Sequence, residues 1–395
     1  MKPKILRLAV ISDLHCHPTR KNLKEEGVNE TYLLTDKLRE PANDHPVESL
    51  LKVIDEENFS VDLTLCPGDF TDKANIQGFI DGWSFSLELN RKLKAANIIA
   101  TLGNHDVDCY NNYSNYSLTT AKGIKQGFPL ASQDDCNVFW SKGCVFVEHE
   151  DYRVLVINSS HYHYNKISAK SGAVGDDLIE YVEQYLKDKD DDKIQIAMSH
   201  HHPIDHSRQK LGEDDKIINA DALLDILGEK RFDVFIHGHK HDPLLRYHNT
   251  SKTNYRLPIF SSGSFSSCSN LMFTSIRNFF HVLEIKKNAV AKCTIKTWTF
   301  IPNGGWRMHN DDHGFATYSG FGNQLDVNAI FELIKAELSG KIYMQWSELT
   351  VKIPDINHLI PSDATRLNEM LNAKGYQLSG HIWSKPNQIF NLNTP

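Results

Sequence analysis

Five short segments gather metal-binding side chains, and each directly follows an apolar run. They are Asp13-Leu14-His15 after residues 6–11, Gly68-Asp69-Phe70-Thr71-Asp72 after 61–66, and Gly103-Asn104-His105-Asp106 after 98–102. The fourth is Ser199-His200-His201-His202-Pro203 after 193–198, and the fifth Gly238-His239-Lys240-His241 after 233–237. Carboxylates, imidazoles and one amide, with no thiolate, form a donor set for Mn²⁺, Fe or Zn²⁺ with more than four ligands. Alternate residues of a His-x-His turn share a side, so His239 and His241 can reach one cluster. Gly68, Gly103 and Gly238 would let the backbone turn sharply just before the donors. The chain holds 20 histidines; solvated histidine accounts for some of them, but their clumping next to apolar strands suggests metal.

Each segment also has an ordinary explanation. Asp-x-His occurs often by chance, a Gly-Asp-x-x-Asp stretch is commonly a plain turn, and three adjacent histidines can be a surface accident. Gly-Asn-His-Asp is rarer, because it collects amide, imidazole and carboxylate in one turn. All five in order, each at the end of an apolar run, leave chance a poor account. Cys16 and Cys66 lie near these motifs, but neither has a partner that would make it a nucleophile, so both read as packing residues.

The elements that must carry the turns are legible in the hydrophobic pattern. Runs at 6–11, 61–66 and 98–102 read as buried strands, separated by helical patterns at 47–59 and about 74–96. This β-α-β-α-β start indicates an α/β fold with functional groups where strands end. Strands at 144–148, 153–158, 193–198 and 233–237 follow, with helices at 176–186 and 221–227. After Pro243 the pattern turns antiparallel, with strands at 244–248, 258–262, 280–286 and 291–300. Two packed sheets with outer helices accommodate these elements. Residues 16–46, 109–140 and 161–175 fit no regular element, and loops of that length suggest a role facing substrate. From about residue 321 to 395 the character changes to a small helical or α+β extension, with amphipathic helices at 327–338 and 364–373, following a main domain of residues 1–320.

Composition narrows the class. The chain has 395 residues, 40% hydrophobic and 24% charged, as a globular protein does. A net charge of −7 argues against binding nucleic acid through overall positive charge, although Arg20, Lys21 and Lys24 share one loop and Lys166 and Lys170 another. Seven scattered cysteines without a CxxC pair point to a reduced, cytoplasmic setting. Arg7 interrupts the apolar N-terminal run, which reads as a first strand rather than a signal peptide. No stretch approaches the roughly 18 apolar residues of a membrane span.

Taken together, Asp-x-His, Gly-Asp-x-x-Asp, Gly-Asn-His-Asp, His-His-Pro and Gly-His-x-His resemble the five blocks of the calcineurin-like metallophosphoesterase superfamily, in family order, over about residues 6–282. The resemblance implies an αββα sandwich and a dinuclear centre with two divalent ions, Mn²⁺ or Fe first and Zn²⁺ next. It implies that Asp13, His15 and His241 hold one metal, Asn104, His201 and His239 the other, and that Asp69 bridges them. His201 is taken because the family ligand stands two residues before the proline; His200 and His202 are second choices. His105 would meet the substrate phosphate and protonate the leaving oxygen, oriented by Asp106. Such a centre clamps a phosphate and makes a water nucleophilic at neutral pH.

Around that site, Asp72 reads as a turn carboxylate or an outer support. His17 and His202 are candidates for substrate contact. His161, Tyr162, His163 and Tyr164 are candidates to line the pocket. Tyr110, Tyr113 and Tyr116 could stack on a base, or simply form an exposed loop. The leading substrate is a nucleotide or other small phosphodiester. The alternatives are a DNA nuclease resembling the double-strand-break repair enzymes, with the extension as its cap, and a non-catalytic scaffold. A protein partner or self-association through the extension is a further expectation.

Overall fold

The structure is a computed structural model and describes residues 3–19, 31–36, 38–189, 192–206, 215–268, 277–308, 315–380 and 385–394. Arg20, Lys21 and Lys24, the first basic group, lie outside the described residues.

Two mixed sheets lie at the centre. In the first, strand Lys4–Val10 pairs in parallel with Leu63–Cys66, which pairs in parallel with Asn97–Ala100. On its other side come Asn278–Lys287 and Ala291–Ile301, both antiparallel, and the last strand carries Gly305–Arg307 and Tyr318–Phe321. The second sheet runs Cys144–Glu148, Tyr152–Ile157, Ile194–Met198, Val234–His237, Arg256–Ser262, Pro243–Asn249.

Side-chain alternation explains the layering. Leu6, Leu8 and Val10 face an inter-sheet core shared with Val154, Val156, Ile196 and Ile236, while Ala9 turns to the opposite face. There the helices Pro46–Glu57 and Ile76–Lys92 cover the first sheet with Val47, Leu50, Phe79 and Trp83. Leu155 and Ile157 face the helices Asp176–Leu186 and Ala220–Glu229 on the second sheet. Burial on both faces is why these strands read as continuous apolar runs. The result is the αββα sandwich that the motifs implied, with two large mixed sheets between helices.

One correction concerns the loops. Residues 109–140 contain helices Thr119–Gly123 and Gln133–Lys142. The second buries only Cys136 and Phe139, too narrow a stripe to show as a period, although Ser132 caps its start and Gly143 closes it at φ 72°.

Beyond strand Tyr318–Phe321 the chain builds a unit with its own core, formed by helices Val327–Glu337, Trp346–Lys352 and Pro361–Ala373. A three-stranded antiparallel sheet, Tyr343–Gln345, Gln388–Asn391, Tyr376–Leu378, completes it. Asp355 ties it to the sandwich. One carboxylate oxygen takes Lys292 Nζ at 2.6 Å from the long strand, and the other accepts the Gln324 and Leu325 amides at 2.9 and 2.8 Å. Asp355→Ala removes three charge-assisted bonds from a buried site. It should weaken this attachment by about 2 kcal/mol and speed proteolytic cleavage near residues 322–326, with turnover unchanged. An unaltered cleavage rate would remove Asp355 from that role.

Among the described residues no helix is long and apolar enough to cross a membrane.

Candidate metal centre

All five turns leave the C-terminal ends of strands and meet in the crevice between the sheets. The backbone stitches them before any side chain acts: Asp13 N donates to Gly68 O and His15 N to Asp69 O, each at 3.0 Å. Gly238 N donates to His200 O at 3.1 Å, and His239 N crosses between sheets to Asp13 Oδ1 at 3.1 Å.

The glycines serve differently from the expectation. Of the three, only Gly68 takes a left-handed φ, +104°. Gly103 and Gly238 are needed for close approach, since a Cβ would lie 2.0 Å from Asp69 Oδ1 and 2.4 Å from Asp13 Oδ2 respectively. The left-handed turns fall on the donors themselves: Asp13 (φ 55°), His15 (49°), Asp69 (56°), His239 (77°) and His241 (54°). For residues with a Cβ this conformation is costly, and only a surrounding structure that over-determines it keeps it.

Two groups of donors result, with Asp69 touching both. On one side His15 Nε2 and His241 Nε2 stand 2.9 Å apart, and Asp13 Oδ1 is 3.3 Å from the latter. On the other, Asn104 Oδ1 lies 3.2 Å from His200 Nε2 and 3.0 Å from His239 Nδ1. Asp69 Oδ2 is 3.5 Å from His15 Nε2 and 3.2 Å from His200 Nε2. Donor atoms this close together and this buried could converge on a cation. Burial opposes ionisation of Asp13, Asp69 and Asp72, yet neighbouring imidazoles hold all three below the usual carboxylate range. The negative charge in turn draws protons to His15 and, against burial, lifts His200 to about 9. A buried site that pulls protons onto its ligands suits divalent cations.

In the fourth block the structure brings His200, not His201, to Asp69 and Asn104. Strand Ile194–Met198 ends two residues before His200, and its Nδ1 meets Pro67 O at 2.9 Å, which aims Nε2 into the crevice. The distance that matters is from the strand end, and an additional residue separates the histidine from Pro203. His201 turns to Ser159, with Nδ1 2.8 Å from Oγ. His202 is fully buried, with Nε2 3.4 Å from Asp215 Oδ1, and His17 is 8% exposed with Nδ1 against the Thr19 backbone. Neither offers a free surface to a substrate.

The support of His105 also differs from the expectation. Asp106 accepts the amides of Asp69, Phe70, Thr71 and Gly103 at 2.8–3.2 Å, and so fixes the bridging turn instead. Burial and the Asp69 charge push Asp106 up to about 7, against the pull of those amides. It is Asp72 Oδ1 that lies 2.8 Å from His105 Nδ1. His105 rests edge-on against His15, ring centroids 4.6 Å apart, and its side chain is 33% exposed, the most open imidazole of the crevice. Thiols take no part: burial pushes Cys66 up to about 12 and holds Cys16 well above its ordinary value.

The sandwich thus gathers two converging groups of metal-binding side chains at its strand ends. Residues 6–243 match the calcineurin-like phosphoesterase family, and the chain belongs to that family. Residues 319–373 match a second model, described as wHTH-Calcineurin_assc, so the C-terminal unit contains a wHTH domain. No match was found among curated proteins. Among solved structures, purple acid phosphatase PPD1 from yellow lupin (Lupinus luteus) superposes with TM-score 0.44 at 13% identity, over 77% of this chain and 52% of that one, about half its length. Zinc-complexed Vps29 from Entamoeba histolytica gives 0.34 at 12% identity, over 76% and 96%, and GAP50 of Plasmodium 0.39 at 16%, over 75% and 84%.

Because donors come from both sheets, bound ions should clamp the layers together. Ions at about 100 times their dissociation constant add about 2.7 kcal/mol. Chelator-treated protein should therefore melt several degrees lower and recover with Mn²⁺. Identical melting with and without Mn²⁺ would refute the clamp.

Proposed function

We propose that this chain hydrolyses small phosphodiesters of nucleotide type at a dinuclear centre held by Asp13, His15 and His241 on one side, Asn104, His200 and His239 on the other, and Asp69 between. When bound, the two ions supply Lewis acidity and water activation at neutral pH. Mn²⁺ or Fe suits the O/N donor set best, with Zn²⁺ next. The chain's own work is to fix those donors rigidly and to present His105 at the mouth. His105 can meet a phosphate oxygen and protonate the departing alkoxide, while Asp72 keeps its ring oriented.

The observation that carries the catalytic reading is the completeness of the donor set, converging from both sheets around Asp69. It disfavours the scaffold alternative. The nucleotide reading draws support from the loop that leaves the His105 turn. Asp108 gathers the amides of Asn112, Tyr113 and Ser114 at 2.8–3.0 Å, and Tyr110, Tyr113 and Tyr116 stand exposed beside it. Exposed aromatic rings with locally ordered backbone suit base stacking.

The nuclease alternative draws on the wHTH match. Against it, helix Pro361–Ala373 sets Arg366 between Asp363 and Glu369, a poor footprint for phosphate backbone. Partners for that unit, protein or a second copy, belong to the same proposal, as does a reducing cytoplasmic setting, since all seven cysteines are free thiols.

The test is an assay of Mn²⁺-reloaded protein on bis-p-nitrophenyl phosphate, p-nitrophenyl phosphate, cyclic nucleotides and DNA ends. Metal-dependent diester turnover with preference for nucleotides supports the proposal. Preference for the monoester or for DNA ends rejects the substrate class, and protein without bound metal rejects the enzyme.

A further inference from the structure

The carboxylate best placed to govern His239 lies outside all five strand-end segments. We propose that Asp215 is a positioning residue for His239, setting which ring nitrogen faces the metal pocket. The inference rests on the metal-dependent reading above and extends it to a residue that no motif contains.

Asp215 Oδ2 lies 3.2 Å from His239 Nε2, while His239 Nδ1 faces Asn104 Oδ1 at 3.0 Å. An ionised carboxylate only accepts hydrogen bonds, so the ring proton sits on Nε2 and Nδ1 presents its lone pair to the pocket. A carboxylate or carbonyl behind a metal-binding histidine commonly performs this service. His200 has the same device in neutral form, with Nδ1 against Pro67 O and Nε2 toward Asn104. Each imidazole beside Asn104 is thus locked from behind.

Asp215 is itself held. Lys240, the residue between the two donors of its turn, pairs directly with Oδ2, and His202 Nε2 stands 3.4 Å from Oδ1 with its ring stacked 5.8 Å from that of His239. The following backbone is anchored too, with Ile217 N on His202 O at 3.0 Å and Ile218 N on Gly172 O at 2.8 Å. Donor atoms of His202, Asp215 and His239 lie within 4.8 Å of one another, which raises a third cation as a rival. The buried Lys240 ammonium already supplies a cation to that carboxylate, and this favours the positioning role.

The test titrates metal-free full-length protein with Mn²⁺, following bound and free ion by paramagnetic resonance, for wild type, Asp215→Ala and Asp215→Asn. Melting of the metal-free variants checks folding. Asp215→Ala should lose about 10–100-fold in affinity at one of two sites and leave the other unchanged. Asp215→Asn keeps an oxygen that accepts from Nε2–H, and should recover most of that loss. Two sites of wild-type affinity in Asp215→Ala overturn the inference alone, as does an Asn variant no better than Ala. A third ion in wild type that Asp215→Ala loses overturns it in favour of a metal site. Wild type that binds no ion overturns the metal-dependent reading and this inference with it.

Discussion

Asp69→Asn should lower phosphodiester turnover by about a thousandfold or more, equivalent to about 4 kcal/mol of transition-state stabilisation. The change is nearly isosteric, so its effect isolates charge. One oxygen of Asp69 lies within 3.5 Å of both His15 and His200, and the other accepts the His105 amide at 2.8 Å. No other described side chain reaches both donor groups and the His105 backbone. An amide there withdraws a negative charge from both pockets at once, so bound metal should fall with turnover. Elemental analysis alongside kinetics checks this: a variant within tenfold of wild type that retains two ions would remove Asp69 from the bridging position.

The second large effect is on leaving-group departure. His105→Asn should slow hydrolysis of diesters with alkyl leaving groups by about 10²–10⁴-fold, and slow p-nitrophenyl esters far less, because p-nitrophenolate departs without a proton. Asp72→Asn should give the same pattern in weaker form, since Asp72 acts by orienting the His105 ring at 2.8 Å. Comparing kcat across leaving groups of graded basicity decides the matter. Equal losses on all of them would make His105 a phosphate-binding group and nothing more.

Much of this is legible in the sequence, and the departures have physical causes. The turns were found because a strand end is a fixed platform and polar donors there break an apolar run. Counting back from Pro203 points to His201, whereas the end of Ile194–Met198 aims the His200 ring into the crevice. Adjacency in sequence suggested Asp106 as the support of His105. In a tight 3-10 turn that carboxylate instead points back at the amides of Asp69, Phe70 and Thr71, and Asp72 reaches in from the neighbouring turn. Asp215 left no periodic trace, since it meets His239 only once the chain after Ile194–Met198 folds over the turn after Val234–His237. The C-terminal sheet escaped because strands of three or four residues are too short to display alternation.

The left-handed donors have an implication for descent. At Asp13, His15, Asp69, His239 and His241 the backbone would be easiest for glycine, yet glycine carries no ligand. Chemistry and conformational ease therefore ask for different residues at the same five places. A lineage released from catalysis should drift toward glycine or asparagine there before its buried strands change, gaining stability as it loses the ions. Those five positions are where a former enzyme of this kind would first show that it had stopped being one.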